Sequence, residues 1–395
     1  MISFEEAIGL IRSIATPTRT ETVPIGEAAG RVLARPVTAN IDSPRSDVSA
    51  MDGYAVRDHD LNQLPALLRV VGGSYAGSSW DGSVAPGTCV RIFTGAPVPE
   101  GADRVVIQEN VRFSANAAII EESPGAARHI RKRGSDFVQG EELLAAGRLL
   151  DARGIVAAAG SDVATLEVFC RPRLHILSTG DELAEPGTAR TRPHVIPESV
   201  SFGVAALAQQ RGAECLGTTR LRDELPHMKT VAAATLDDAD VVVVTGGASV
   251  GEKDFAKAMF EPLGLELLFS KVSIKPGKPV WLGRVGKRLV MGLPGNPTSA
   301  LVTARLFLAP LLARLTPQFT DDALSWRAMP LASPLGACGP RETFHRARIR
   351  DGAAEILAFQ DSSAQKALAN ADLLVRQRPN APAVAAGQPV DVLDF

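Results

Sequence analysis

Apolar residues follow two different spacings along this chain, and the change between them divides it into regions. Ser3 and Glu6 form a capping-box pattern, and apolar residues then recur every three or four positions, which predicts a helix over residues 2–14. The same spacing predicts further helices over residues 151–159, 199–211, 225–236 and 297–315.

Short apolar runs rich in β-branched residues and bounded by Gly and Pro predict strands elsewhere. Between residues 42 and 135 the runs cover residues 66–71, 90–93, 105–111 and 117–120. Helical segments flank this region, so we expect the chain to leave a first domain, build a β-rich module and return.

From residue 172 to 316 strands alternate with helices, which is the βαβ pattern of a mostly parallel sheet. Residues 343–349 alternate apolar and polar positions and indicate a β-rich end. The sequence therefore predicts a multidomain α/β and β protein. The first expected domain is discontinuous and comprises residues 1–41 and 136–171. An inserted β domain covers residues 42–135, an α/β domain covers residues 172–317, and a C-terminal β domain covers residues 318–395.

Composition narrows the class of protein. The 395 residues are 45% hydrophobic and carry a net charge of -2, so a broad basic surface for nucleic acid is not expected. The four cysteines form no C-x-x-C pair, which excludes the usual zinc and redox spacings. No uninterrupted apolar run has the length of a membrane span and no basic leader precedes the first apolar residues, so we expect a cytoplasmic protein.

Four bent, charged turns lie between residues 178 and 297. They are Ser178–Glu182, Thr245–Asp254, Ile274–Pro279 and Leu293–Pro297. Most of them directly follow a predicted strand, and open α/β sheets bind ligands at the carboxyl ends of their strands. The turns therefore predict one site for anions and a metal.

Each turn has its own expected chemistry and a structural alternative. Lys275 and Lys278 flank a Pro-Gly bend and suit an oxyanion, or they form a solvent-exposed surface turn. Gly246 and Gly247 let backbone N–H groups approach a phosphate. Asp254 either serves the site or only caps the following helix.

Four acids at expected strand ends predict a magnesium site, because carboxylates gathered beside phosphates usually bind a hard cation. They are Asp181, Glu182, Asp223 and Asp254. As alternatives, Glu182 supports only the first turn of a helix, and Asp223 only pairs with Arg222.

Seven motifs in order resemble those of the molybdopterin molybdenumtransferases of the MoeA type, which are related to the gephyrin E domain. The resemblance covers nearly the whole chain. The motifs are Ser49–Val56, Thr94–Ala102, Arg131–Asp136, Ser178–Leu183, Gly246–Asp254, Lys275–Pro279 and Leu293–Pro297.

The resemblance implies a MogA/MoaB-like α/β domain, a β-barrel-like C-terminal domain and a homodimer whose active site is shared between subunits. The implied substrates are adenylylated molybdopterin and molybdate, with Mg²⁺ or Zn²⁺ as cofactor and AMP as product. Other proteins of molybdenum cofactor biosynthesis are the expected partners, whereas nucleic acid and membranes are not.

The resemblance also assigns roles to residues. The implied catalytic residues are Asp52, Glu182, Asp254, Lys275 and Lys278, with Asp52 acting in the other subunit's site. The implied metal ligands are Asp181, Glu182, Asp223 and Asp254. Substrate contacts are implied for Thr94, Arg131, Asp136, Thr179, Gly180, Gly246, Gly247, Ser249, Gly251, Pro294, Gly295, Asn296, Pro297, Arg346 and Ser362.

Two segments depart from the family pattern. Ile196-Pro197-Glu198-Ser199 replaces the usual Ile-x-Asp-Ser/Thr-Asn, and Gln360-Asp361-Ser362 replaces Gln-Gly-Ser. These changes leave open a divergent paralogue that acts as a scaffold, as the gephyrin E domain does.

A serine hydrolase is a further alternative. Residues 247–251 fit G-x-S-x-G around Ser249, and Asp322 and His345 follow in the chain order of α/β hydrolases. That interpretation leaves Lys275 and Lys278 without a role.

Overall fold

The computed structural model describes residues 1–14, 19–246, 255–316 and 322–395. The predictions for Gly247, Ser249, Gly251 and Asp254 fall outside the described residues, as does the side chain of Asp322.

The chain begins with helix α1 (Phe4–Ile14), and the predicted capping box is confirmed. The Ser3 backbone N–H donates to Glu6 Oε2 at 2.7 Å, and the Glu6 N–H donates back to Ser3 Oγ at 3.2 Å. The apolar face of α1 packs into the main core, where the Phe4 ring meets the rings of Phe307 and Phe344 edge-on. Strands β1 (Thr20–Pro24) and β2 (Val37–Thr38) follow.

The next region forms a six-stranded sheet in the order β7, β4, β6, β5, β9, β8. Its strand predictions are largely confirmed, but the expected strand over 105–111 ends at Ile107, because the polar residues Gln108–Asn110 form a 3₁₀ turn. The strands in this region are β3 (Val48–Ser49), β4 (Gly53–Val56), β5 (Ala66–Ser74), β6 (Thr88–Ile92), β7 (Arg104–Ile107), β8 (Arg112–Ser114), β9 (Ala117–Ile120) and β10 (Ile130–Arg131).

After this sheet the chain returns to its starting region. Strand β11 (Glu142–Leu144) pairs with β2, and helix α2 (Ala152–Gly160) follows. Strand β12 (Thr165–Phe169) then pairs with all five residues of β1. Asp151 caps α2 by accepting a hydrogen bond from the Gly154 N–H at 2.9 Å.

The α/β region forms a second six-stranded sheet in the order β16, β13, β17, β21, β20, β18, of which the first four strands are parallel. The β-branched run of β17 is fully buried because helices cover both faces of a parallel sheet. The elements are β13 (Arg173–Thr179), β14 (Leu183–Ala184), β15 (Ile196–Pro197), α3 (Val200–Gln210), β16 (Glu214–Leu221), α4 (Leu225–Asp238), β17 (Val241–Thr245), α5 (Phe255–Ala258), β18 (Glu266–Ser270), β19 (Ile274–Lys275), β20 (Trp281–Val285), β21 (Arg288–Leu293), α6 (Pro297–Thr303) and α7 (Ala309–Leu315).

Helices α6 and α7 join through a π-helical turn, Ala304–Leu308, into one stretch of 19 residues. Among the described residues this is the one helix long and apolar enough to cross a membrane. Its most apolar part is 83% buried inside the protein, which is typical of a core helix.

The last region is a third sheet in the order β19, β23, β25, β26, β22. Its remaining elements are β22 (Arg327–Pro330), β23 (Glu342–Arg350), β24 (Ala353–Ile356), α8 (Gln365–Ala369), β25 (Leu373–Gln377) and β26 (Pro389–Asp394). The sequence predicted a turn over 274–279, but Ile274–Lys275 pairs in parallel with Glu342–Thr343 and so joins this sheet.

Candidate functional site

Four parallel strands of the α/β sheet end at the same level. Thr179 pairs with Leu221, Ser178 with Thr245, and Thr245 with Leu293, so the turns that follow these strands meet at one edge. They border an open cleft of about 720 Å³. Its lining comprises Thr179, Gly180, Glu182, Leu183, Ile196–Val200, Asp223, Thr245, Gly246, Pro279, Pro294–Pro297, Ser363 and Gln365.

Glycine is required at the floor of the cleft because backbones approach each other there. Gly246 has a φ of +88°, and a Cβ at this position would lie 2.4 Å from the carbonyl oxygen of Thr179. A Cβ on Gly295 would lie 3.3 Å from the Cα of Gly246. This packing leaves peptide groups close to the cleft, which is how backbone N–H groups come near a phosphate.

Three acidic residues line the cleft: Glu182 and Asp223, which follow two of the parallel strands, and Glu198, which precedes helix α3. The Glu182 carboxylate lies over Gly180, whose Cβ would be 2.8 Å from Oε2. Asp181 accepts a hydrogen bond from the Asp223 backbone N–H at 3.2 Å. Among the described residues no three acids, histidines or cysteines form a metal-binding group, and Asp254 lies outside those residues.

A loop of the C-terminal region forms one wall of the cleft. The Asn296 side-chain amide donates to Ser362 Oγ at 2.9 Å, and Gln365 Nε2 lies 3.5 Å from Ser199 Oγ. Arg346 does not line the cleft, because its side chain is buried and donates to the carbonyl of Asp361 at 3.1 Å. Burial lowers the pKa of the Arg346 guanidinium. Arg346 therefore holds the loop that carries Ser362.

Of the two segments that depart from the family pattern, the first lines the cleft, and the second contacts a lining residue through the hydrogen bond between Ser362 and Asn296. Glu198 is 6% exposed, and its carboxylate accepts hydrogen bonds from the backbone N–H and the hydroxyl of Ser201, so it caps helix α3. At the second segment Asp361 accepts hydrogen bonds from the hydroxyl and N–H of Ser363, which lower its pKa. Sequence patterns predicted no site role for Ser199, Ser363 or Gln365, although the two departures from the family pattern lie at or beside these residues.

The two predicted lysines are not among the described lining residues of the cleft. Both Lys275 and Lys278 are exposed, and Pro279 beside them lines the cleft. The described lining itself contains no lysine or arginine. The positive charge that neutralises a ligand with several negative charges must therefore come from residues outside the described lining.

Four predicted site residues lie apart from the described lining, namely Asp52, Thr94 and Arg131 of the inserted region and Asp136 directly after it. Asp52 accepts hydrogen bonds from the N–H and hydroxyl of Thr94 at 2.7 and 2.8 Å, and these bonds lower the pKa of Asp52. Arg131 and Asp136 are exposed. None of these four residues lines the cleft of the same chain as far as the structure describes it.

The serine hydrolase alternative gains no support. His345 lies on β23, where its Nε2 is 3.1 Å from Gln377 Oε1, and it does not line the described cleft. Burial lowers the pKa of His345. The other members of the proposed triad, Ser249 and the side chain of Asp322, lie outside the described residues.

Three family profiles match successive parts of the chain. The MoeA N-terminal region (domain I and II) matches residues 2–161. A probable molybdopterin binding domain matches residues 175–314, and the MoeA C-terminal region (domain IV) matches residues 328–395.

Two curated relatives match over their full lengths. Molybdopterin molybdenumtransferase of Haemophilus influenzae is 32% identical over 407 residues, covering 100% of this chain and 99% of that protein. Molybdopterin molybdenumtransferase 2 of Mycobacterium tuberculosis is 32% identical over 408 residues, with both chains fully covered. In both cases the similarity extends over the whole chain and is not confined to one domain.

Two crystal structures of the molybdopterin biosynthesis MoeA protein of Pyrococcus horikoshii superpose on the whole chain. Their TM-scores are 0.83 and 0.86, at 27% and 24% identity, with 99% and 100% of those chains covered. The predicted fold class is thereby confirmed.

Proposed function

Because the chain belongs to the MoeA-type molybdopterin molybdenumtransferase family, we propose that it inserts molybdenum from molybdate into adenylylated molybdopterin and releases AMP. The observation that carries the proposal is the shared edge of four parallel strands, which brings Glu182, Asp223, Gly246 and Asn296 around one cleft. Its open volume of about 720 Å³ is in the range of pockets for small molecules and cofactors.

The protein contributes positioning in this reaction and no nucleophile. The two dithiolene thiols of the substrate bond to molybdenum and displace one oxygen ligand of molybdate, which leaves as water with the two thiol protons. A second water attacks a phosphorus of the phosphoanhydride, so that this bond breaks and AMP leaves. Backbone near Gly180, Gly246 and Gly295 receives the phosphates. Lys275 and Lys278 neutralise the oxyanion and the negative charge of the leaving group.

Mg²⁺ or Zn²⁺ would bind at the carboxylates of Glu182 and Asp223, together with Asp181 and Asp254. Glu182 and Asp223 face one cleft, and Mg²⁺ is usually held by one or two carboxylates plus substrate phosphates, so this donor set fits Mg²⁺. The bound cation would neutralise charge on the phosphoanhydride.

We further propose a homodimer in the cytoplasm in which Asp52 and Thr94 complete the cleft of the second copy. Two observations support the proposal. Asp52 and Thr94 are not among the described lining residues of their own chain's cleft, and that described lining contains no lysine or arginine. Arg131 of the inserted region and Asp136 directly after it would accompany them, because both are exposed.

Purified protein with adenylylated molybdopterin and Mg²⁺, assayed for AMP with and without molybdate, tests the proposed function. We expect molybdate-dependent AMP release that falls by about 100-fold in Lys275→Ala, because a charge at the reacting group is lost. Lys287→Ala is the matched control, since Lys287 is also exposed but precedes β21 at the opposite end of the sheet. Adenylate binding without turnover would indicate a paralogue that has kept the site but lost the chemistry, and no adenylate binding would favour the scaffold alternative.

The shared site has its own test in mixed dimers. Asp52→Ala and Lys275→Ala chains are each expected to be inactive. After subunit exchange, a mixed dimer contains one intact site, so activity should return in part. No recovery, with exchange verified by native mass spectrometry, would place the whole site within one chain.

A further inference from the structure

Five side chains of the inserted sheet form one continuous stack. The rings of Tyr75 and Phe93 are stacked with centroids 5.1 Å apart, and those of Tyr54 and Phe113 with centroids 6.5 Å apart. The guanidinium of Arg91 joins the two pairs, because its central carbon lies 4.9 Å from the ring centroids of both Phe93 and Tyr54. The stack contains both tyrosines of the chain.

Strand register builds this stack. Tyr54 pairs with Arg91 across β4 and β6, and Arg91 pairs with Gly73 across β6 and β5. Gly73 leaves room for the next ring, since a Cβ there would lie 3.0 Å from the Tyr75 hydroxyl oxygen. A turn in which Tyr75 and Ser78 exchange backbone hydrogen bonds fixes the end of the stack. The stack is thus held by the sheet before any ligand arrives.

One end of the stack lies beside Asp52. Continuing the same registers past the strand ends places Asp52 opposite Phe93, and Phe93 opposite Tyr75. Two strand spacings therefore separate Asp52 from Tyr75, about 10 Å. The ring of Tyr75 is 52% exposed although Phe93 supports its inner face. A half-exposed aromatic ring is thus presented two strand spacings, about 10 Å, from a proposed catalytic carboxylate.

We propose that the exposed face of Tyr75 is a stacking platform for a flat nitrogen heterocycle of the substrate. The inference rests on the proposed function, which requires Asp52 to reach the cleft of the second copy. Adenylylated molybdopterin carries two such heterocycles, the adenine and the pterin. Aromatic faces bind planar bases by stacking, and the Arg91 guanidinium strengthens a stack by its charge.

The other end of the stack provides a matched control. The ring of Phe113 is 57% exposed and stacks on Tyr54, but it lies at the far end from Phe93 and Thr94. If the stack only stabilised the sheet, loss of either end ring would have similar consequences. If Tyr75 binds substrate, loss of the Tyr75 ring weakens substrate binding and loss of the Phe113 ring does not.

The test compares Tyr75→Leu, Tyr75→Phe and Phe113→Leu in the full-length protein. KM and kcat are measured with adenylylated molybdopterin, and dissociation constants are measured with AMP and with 6-carboxypterin. We expect Tyr75→Leu to raise KM at least about five-fold, the lower end of one base-stacking contact, with kcat changed less. Tyr75→Phe and Phe113→Leu should stay within two-fold of the natural protein. Tyr75→Met replaces Tyr75→Leu if the latter does not fold.

The two fragments identify the heterocycle. Weaker binding of AMP in Tyr75→Leu assigns the platform to adenine, and weaker binding of 6-carboxypterin assigns it to pterin. An unchanged KM in Tyr75→Leu, or an equal change in Phe113→Leu, overturns the inference while molybdate-dependent AMP release still supports the proposed function. If the natural protein shows no turnover, the proposed function fails, and the dissociation constant of the whole adenylate decides the inference.

Discussion

Replacing Gly246 with alanine tests the packing at the floor of the cleft. The new Cβ would lie 2.4 Å from the Thr179 carbonyl oxygen, which is closer than any real Cβ contact, so one of the two strand ends must move. Both strand ends line the cleft. We therefore expect loss of stability and loss of activity from this single methyl group.

Two costs add in this variant. A φ of +88° is unfavourable for alanine by about 1 to 2 kcal/mol, and overpacking of a tight contact typically costs about 1 to 3 kcal/mol. The variant Gly264→Ala measures the cost of the positive φ without the cost of overpacking. Gly264 has a φ of +84°, but no atom lies within 4 Å of its Cβ position. The expected loss in the free energy of unfolding is about 2 to 5 kcal/mol for Gly246→Ala and about 1 to 2 kcal/mol for Gly264→Ala.

Urea unfolding followed by tryptophan fluorescence gives the stability change, and molybdate-dependent AMP release gives the activity. Displacement of catalytic groups by about 1 Å is expected to lower AMP release by about 100-fold in Gly246→Ala and to leave Gly264→Ala active. Equal midpoints for the two variants would refute the close approach of Gly246 and Thr179. If Gly246→Ala is destabilised but fully active, the contact between Gly246 and Thr179 does not lie in the active site.

Three further predictions concern single side chains. Glu198→Ala should lower the free energy of unfolding by about 1 kcal/mol, because α3 loses its cap at Ser201; an unchanged urea midpoint would contradict that role. Hydrogen bonds from Thr94 hold the pKa of Asp52 below 3.8, so Asp52 stabilises the fold above that pH and this contribution is lost on acidification. The midpoint difference between natural protein and Asp52→Asn should therefore shrink below pH 3.8, and a difference that grows there would oppose it. Burial raises the pKa of Cys89 to about 12, so iodoacetamide at pH 8 should label it only after unfolding, as peptide mass spectrometry would show.

Local patterns in the sequence were sufficient for the elements around the site. Helical spacing located α1, α3 and α4 to within two residues, because one face of each helix packs on a core. The β-branched runs located β13, β17 and β21, since strands buried on both faces of a parallel sheet need apolar residues throughout. The rule that ligands bind at strand carboxyl ends then identified most of the turns that border the cleft.

Tertiary structure alone decided which of these residues meet. The pairing of Lys275 with Thr343 and the contact of Gln365 with Ser199 join segments far apart in the chain, and no local spacing encodes such contacts. The burial of Arg346 and the hydrogen bond from its guanidinium to the carbonyl of Asp361 likewise depend on tertiary structure, because only the folded chain excludes water from this side chain. The sequence determined by itself which chemical groups follow the strands. Their distances, exposure and partners come from the register of the strands and the packing of three sheets.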